Sequence, residues 1–294
     1  VQYALLLVIP IIAAIATLKI RGVVTPYYLL NYDPDYAYLF NSLSILDFLA
    51  PEYIDHPGTP EQLLGALIIK LMHPFEGAEQ ILHGVIEDPE RHLLFISNIF
   101  IGLNSIALLI AGTILLRLTN RIELSLLLQA SPFMFPVNLI SLGRVCPEPL
   151  LLFTSSVFVC LLLCLSDMSP KEHEVKLATA FGWAAGFGVT TKLTFIPMIF
   201  LPLTVLGSKI LRKTYAIYFC IAAFTFTSIF LLYPKLYFYF VRWFFNLFLG
   251  SGIYGQGDRT IISLDHYVAD LLKVALDQPL YLLAILLAIA LYIL

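Results

Sequence analysis

Charge is what this sequence has least of: Asp, Glu, Lys and Arg make up 13% of its 294 residues, against roughly a quarter in soluble domains. A water-soluble surface cannot be built from so few charges, which excludes an ordinary soluble enzyme. Basic excess is also lacking, with a net charge of -3 and a pI near 6.1. No polybasic face is available, so nucleic acid is not an expected partner. Cysteine is sparse. Cys146, Cys160, Cys164 and Cys220 lie mostly in apolar runs, and Cys160 and Cys164 stand one helical turn apart, a poor geometry for a disulfide. No internal repeat is present, which weighs against an inverted-repeat transporter. The first apolar run carries no small-residue cleavage site of the signal-peptide kind. The chain opens on Val1 and stops inside an apolar run at Leu294, as a truncated module would.

What is abundant is apolar sequence, at 60% of residues and a mean hydropathy of +0.88. A bilayer crossing needs about 20 mostly apolar residues. Such runs occur at 2–20, 93–116, 124–142, 150–165, 177–188, 195–206, 215–233 and from 271 or 280 to the end. The expected fold is therefore all-α, a polytopic integral membrane protein with about eight transmembrane helices in one module over 1–294. The run 63–72 is interrupted by Lys70 and closed by His73-Pro74, and is expected to lie on the membrane without crossing it. Lys and Arg favour cytoplasmic loops. Arg117 and Arg121, with Lys209, Arg212 and Lys213, outvote Lys19, Arg21 and Arg91, and put residues 22–92 in a first external loop that carries surface helices. Loops that long are usually functional or disordered, and the aromatic content of this one argues against disorder. A later external loop is expected at 234–266.

The first loop holds two motifs. In Asn31-Tyr32-Asp33-Pro34-Asp35-Tyr36-Ala37-Tyr38-Leu39, Pro34 biases Asp33 to extended backbone and can open a helix near Asp35. Helix capping is the plain explanation of one Asp; a second Asp among three tyrosines points to a polar pocket. In Ile54-Asp55-His56-Pro57-Gly58-Thr59-Pro60-Glu61-Gln62, Thr59 and Pro60 read as the start of a helix, which leaves Asp55 and His56 unexplained. One Asp-His pair is too small a set for zinc, although Asp33, Asp35 and Asp55 leave room for a divalent metal.

A third group comprises charges beside apolar runs: Arg144 and Glu148 around Cys146-Pro147, Lys192 between Thr191 and Leu193, and Arg242 in an aromatic run. A charge at the bilayer centre costs about 2.5–3.5 kcal/mol on insertion scales, so these residues either snorkel at helix ends or face partners. On the same outer side, Arg144 and Lys192 suit a phosphate or pyrophosphate, Arg by its fork and Lys as a point charge. The aromatics from Tyr237 to Phe245 read as an interfacial belt. The glycines from Gly250 to Gly257 form no phosphate-binding loop, because neither a preceding strand nor a following lysine is present.

At these motifs the chain resembles the GT-C superfamily of membrane glycosyltransferases that use polyprenyl-phosphate sugars, in the branch of protein O-mannosyltransferases and aminoarabinose transferases. Asp33-Pro34-Asp35 resembles that family's acidic pair in the first external loop. Asp55-His56-Pro57-Gly58-Thr59-Pro60-Glu61 is similar to its Asp-His-Pro-Pro-Leu-Gly-Lys stretch, with Glu61 where relatives have Lys. Residues 144–153 and 190–197 resemble its outer-side segments. The likeness runs over about residues 2–233.

The resemblance implies an inverting transfer at the extracytoplasmic membrane face, from a polyprenyl-phosphate-linked sugar to a lipid, protein or glycan acceptor, with no organic cofactor. Asp33 or Asp35 would take the acceptor proton, and Arg144 and Lys192 would stabilise the departing phosphate. Asp55, His56, Glu148 and Arg242 complete the expected substrate-binding set, and membrane lipids surround it. A transporter or flippase using the same polar residues, or a non-catalytic subunit of a glycan assembly complex, are the competing expectations.

Overall fold

A computed structural model describes residues 2–23, 34–53, 58–167, 170–202, 212–231, 234–249 and 264–277, with single positions from 279 to 290. Its regular elements are helices. Helices α1 (Gln2–Leu5) and α2 (Val8–Val23) run on as one apolar rod, and the first loop then supplies α3 (Asp35–Leu46), α4 (Thr59–Met72) and α5 (Ala78–Glu87). The longest rod, α6 (Pro89–Thr119), has 31 residues, about 46 Å at 1.5 Å per residue. Its ends are well specified. Asp88 accepts the Arg91 backbone N–H at 3.2 Å, Pro89 fills the first helical position, and Asn120 closes the helix in the left-handed region at φ 54°.

Beyond α6 come α7 (Ile122–Ala130), a 3-10 turn over Ser131–Met134, and α8 (Pro136–Leu142). Pro132 and Pro136 interrupt the expected 124–142 crossing, so α7 and α8 form a pair bent by 80°. Then follow α9 (Pro147–Asp167), α10 (Pro170–Thr191), a 3-10 segment over Leu193–Phe200, α11 (Arg212–Leu231), α12 (Pro234–Leu249) and α13 (Leu264–Asp277). Three helices among the described residues are long and apolar enough to cross a bilayer: Gln2–Val23, Pro89–Thr119 and Pro147–Leu165. The bent pair makes up to four. No further helix among the described residues meets that measure, and Ile217–Thr227 is a shorter apolar stretch.

One sequence expectation shifts at the start of α4. The helix expected to start with Thr59 as its cap is capped instead by Gly58, and Pro60 falls inside the first turn. Residues 234–249 are helical as α12, opened by Pro234 and rich in aromatic residues. Residues 250–263 lie outside the described residues.

Helix α6 organises one half of the molecule, packing against α9, α7 and α2 along its length and α3, α4 and α5 near its start. One core joins Tyr38, Leu39, Ile69, Ile81, Val85, Leu93, Ile96 and Phe100 with Val145, Cys146 and Leu150, so α3, α4, α5 and the start of α6 are welded to the segment that leads into α9. A second core lies between α9, α10 and α11 around Phe158, Phe181, Phe195 and Tyr218. Helices α10 and α11 approach closely because Gly182 and Gly186 lack side chains: a Cβ on Gly186 would stand 2.5 Å from the Ala222 carbonyl oxygen.

Candidate functional site

Helix α3 begins at Asp35 after Pro34, which supplies no side-chain cap, and the Asp35 carboxylate meets its own backbone N–H. It reaches across 109 residues of sequence to Arg144. Oδ2 accepts from Arg144 Nη2 at 2.9 Å and from Nε at 3.2 Å, while Oδ1 accepts the Val145 backbone N–H at 2.5 Å. Asp35 is fully buried and Arg144 nearly so. Burial pushes the Asp35 carboxyl above its ordinary range, and the charge and hydrogen bonds of Arg144 and the Val145 N–H offset part of that rise. On the Arg144 side burial is the largest influence and lowers the pKa, but the charge and hydrogen bond of Asp35 together with Cys146 and Glu148 outweigh it, and the net shift is upward. Arg144 is a fixed, permanently charged fork.

A second ion pair lies one turn further on. Lys192 donates to Glu148, in the first turn of α9. Between the expected runs 177–188 and 195–206 the chain breaks at Lys192, whose extended backbone (φ -158°, ψ 134°) separates α10 from the 3-10 segment. At the same place the Gly58 N–H donates to the Thr191 carbonyl at 3.2 Å, tying the start of α4 to the end of α10. Gly58 is held at φ 63°, and a Cβ there would stand 2.7 Å from Tyr38 Cε1, so both its conformation and its neighbour call for glycine.

Cys146 shows how close these pieces lie. It is completely buried, and burial together with the negative charges of Glu148, Glu61 and Asp35 drives its thiol well above its ordinary range, against the opposing pull of Arg144. The thiol stays protonated and is no nucleophile. Three carboxylates and a guanidinium thus act electrostatically on one sulfur, with Lys192 attached through Glu148. Asp35, Arg144, Glu148 and Lys192, expected from sequence, come together. Arg242 does not join them: it is exposed on α12. Asp33, Asp55 and His56 lie outside the described residues.

Three residues of this region are not evident from the sequence. Glu61, which there is only a departure from a lysine, is buried among the charged groups. Gln62 and Asn41 pin the stretch that leads toward Asp55: Gln62 Nε2 donates to the Tyr53 carbonyl at 2.7 Å, and Asn41 Oδ1 accepts the Glu52 N–H at 2.9 Å. A polar residue on an apolar helix is the available signal. Its direction cannot be read without the fold.

Among the described residues no three His, Cys, Asp or Glu side chains converge as metal ligands. A groove of about 480 Å³ runs between α3 and α5, lined by Phe40, Leu43, Leu46, Asp47, Glu79 and Leu82, but none of the charged cluster lines it. The chemistry-bearing groups and this groove lie on different faces of α3.

Neither a family model, a curated protein nor a solved structure matches this chain. The site must be read from its own geometry.

Proposed function

We propose that this chain is an inverting membrane glycosyltransferase that takes its sugar from a polyprenyl-phosphate donor at the outer membrane face, within an eight-span GT-C-like module. The observation that carries the reading is the meeting of Asp35, from the first loop, with Arg144, from the segment before α9. It brings the acidic loop motif and the phosphate-suited cation to one place, as transfer from a phosphate-linked sugar requires.

In this reading the two aspartates divide the labour. Asp35 accepts three hydrogen bonds and is fully buried, so its role is to aim Arg144. Asp33, two positions earlier in sequence, is then the general base that takes the acceptor hydroxyl proton as the anomeric carbon is attacked. Arg144, held by Asp35, and Lys192, held by Glu148, stabilise the phosphate as the bond from the anomeric carbon to its oxygen breaks.

The bent pair α7–α8 favours a second reading, a transporter or flippase for a lipid-linked solute, since transport sites form on broken helices. Purified protein in nanodiscs, given short-chain polyprenyl-phosphate sugars and no gradient, separates the two. Release or transfer of sugar, lost in Asp33→Asn, is the expected result. Donor movement across the bilayer with no bond broken would overturn the transferase reading.

A further inference from the structure

The first apolar rod carries a proline near its start. Pro10 is buried in α2, four residues after Leu6, and proline has no N–H to give. In an α-helix the carbonyl of residue 6 takes its hydrogen bond from the N–H of residue 10. The ladder is irregular at this place: α1 ends at Leu5, the Leu7 N–H turns back to the Ala4 carbonyl at 3.2 Å, and the Ile11 N–H reaches the Leu7 carbonyl at 3.1 Å. The Leu6 carbonyl is passed over, in a residue that is completely buried. A buried backbone oxygen with no donor is costly, and in a bilayer no water can serve it.

The donor comes from another helix. Gln129, fully buried on α7, gives one Nε2 hydrogen to the Leu6 carbonyl at 3.0 Å and one to the Leu108 carbonyl of α6 at 3.1 Å. Both partners can only accept, which fixes the orientation of the carboxamide. Its Oε1 is buried with no hydrogen-bond partner among the described residues. An orphaned acceptor is a cost, so the group is held here for its two hydrogens and not for its oxygen. The two bonds are not equivalent. Leu108 lies inside α6, where the Gly112 N–H serves its carbonyl along the helix, whereas Leu6 has no such donor. Gly112 also makes the room: a Cβ there would stand 2.6 Å from Gln129 Nε2 and 2.8 Å from Cδ.

We propose that the Gln129 carboxamide replaces the N–H that Pro10 lacks, and so bolts a proline hinge in the first span to α6 and α7. An ordinary amide bond between membrane helices would be worth the same whatever residue stood at position 10. A surrogate donor is worth much less once position 10 regains its own N–H. The hinge lies at one end of a helix whose other end packs beside the charged cluster: a Cβ on Gly143, the neighbour of Arg144, would stand 3.1 Å from Thr17 Cγ2 and 3.6 Å from Arg21 Cβ. The inference does not rest on the transferase reading.

The test uses the full chain in nanodiscs as a cycle of four proteins: the parent, Gln129→Met, which keeps the bulk and removes the donors, Pro10→Ala, which restores the N–H, and the double variant. Backbone hydrogen exchange over residues 2–11 and thermal unfolding are read for each. Gln129→Met should speed exchange over 2–11 more than over the body of α6 and lower the melting temperature; in the Pro10→Ala background both effects should be much smaller. Gly112→Ala, which pushes the carboxamide off its carbonyls, should show the same dependence on position 10. Equal losses in both backgrounds, or exchange that rises no more at 2–11 than in α6, would overturn the proposal. If Gln129→Met does not fold, recovery on adding Pro10→Ala supports the surrogate, and continued failure of the double variant contradicts it.

Discussion

At the scale of single residues, the decisive contrast is between the two aspartates flanking Pro34. Asp35 is locked to Arg144 in a buried pair, and removing one partner of such a pair costs about 3–5 kcal/mol because a bare charge stays behind. Asp35→Asn should therefore lower the thermal stability of the purified protein and weaken donor binding together, since Arg144 loses its alignment. Asp33→Asn should leave the melting temperature near wild type and abolish turnover. Measuring melting and turnover on the same preparations separates the assignments; a stable, inactive Asp35→Asn with an active Asp33→Asn would reverse them. The pairing is not legible in the sequence. Residues 109 apart give no local signal of contact, and the motif around Pro34 fits a helix cap as well as a pocket until the partner is seen.

At the scale of elements, the helices do their positioning through a few close approaches. Gly58 is one: its φ of 63° and the Tyr38 ring leave no room for a Cβ. Gly58→Ala should cost about 1–2 kcal/mol from the left-handed backbone alone, and more if Tyr38 cannot yield and the hydrogen bond to the Thr191 carbonyl breaks. Gly186 is another, pressed on the Ala222 carbonyl and Thr225. Gly186→Val should destabilise the α10–α11 pair by about 1–3 kcal/mol, the usual range for overpacking. Thermal unfolding of both variants in one detergent checks this, and an unchanged transition for either would show that its helix packing is looser than described. Much at this scale is readable in advance. The apolar body of α6, over 93–116, and the interruption between the runs 177–188 and 195–206 follow from apolar patterning, whereas the Asp88-Pro89 start falls inside the expected loop 22–92 and extends the helix beyond its apolar run. Helix α12 is not readable, because an aromatic run such as Tyr237 to Phe245 satisfies an interfacial belt and a helix equally.

At the scale of the whole molecule, the packing gathers one set of groups at one end of the helices. Asp35 with Arg144, Gly58 with Thr191, and Lys192 with Glu148 all link the first loop or its neighbours to the segments flanking α9 and α10. The turn at Asn120 closes α6, about 46 Å from the start of that helix at Pro89, along a rod longer than the roughly 30 Å hydrocarbon core. A cysteine at the fully exposed Phe75 should thus react with a membrane-impermeant thiol reagent added outside cells, and one at Asn120 should react only after the membrane is opened. Labelling of both from the same side would refute the topology. Composition alone makes the lipid-embedded character plain. The number of crossings is less legible, since runs such as 195–206 are cut by proline and fold into short or 3-10 segments.

The central claim is that Arg144, aimed by Asp35, holds the phosphate of a lipid-linked sugar beside a catalytic carboxylate. Equilibrium binding of a fluorescent polyprenyl phosphate to nanodisc-embedded protein tests it most directly. The account predicts saturable binding that weakens about tenfold or more in Arg144→Ala, matching the removal of a charge-assisted bond of roughly 1.5–3 kcal/mol, and that persists in Asp33→Asn. Binding of equal strength in wild type and Arg144→Ala would contradict it.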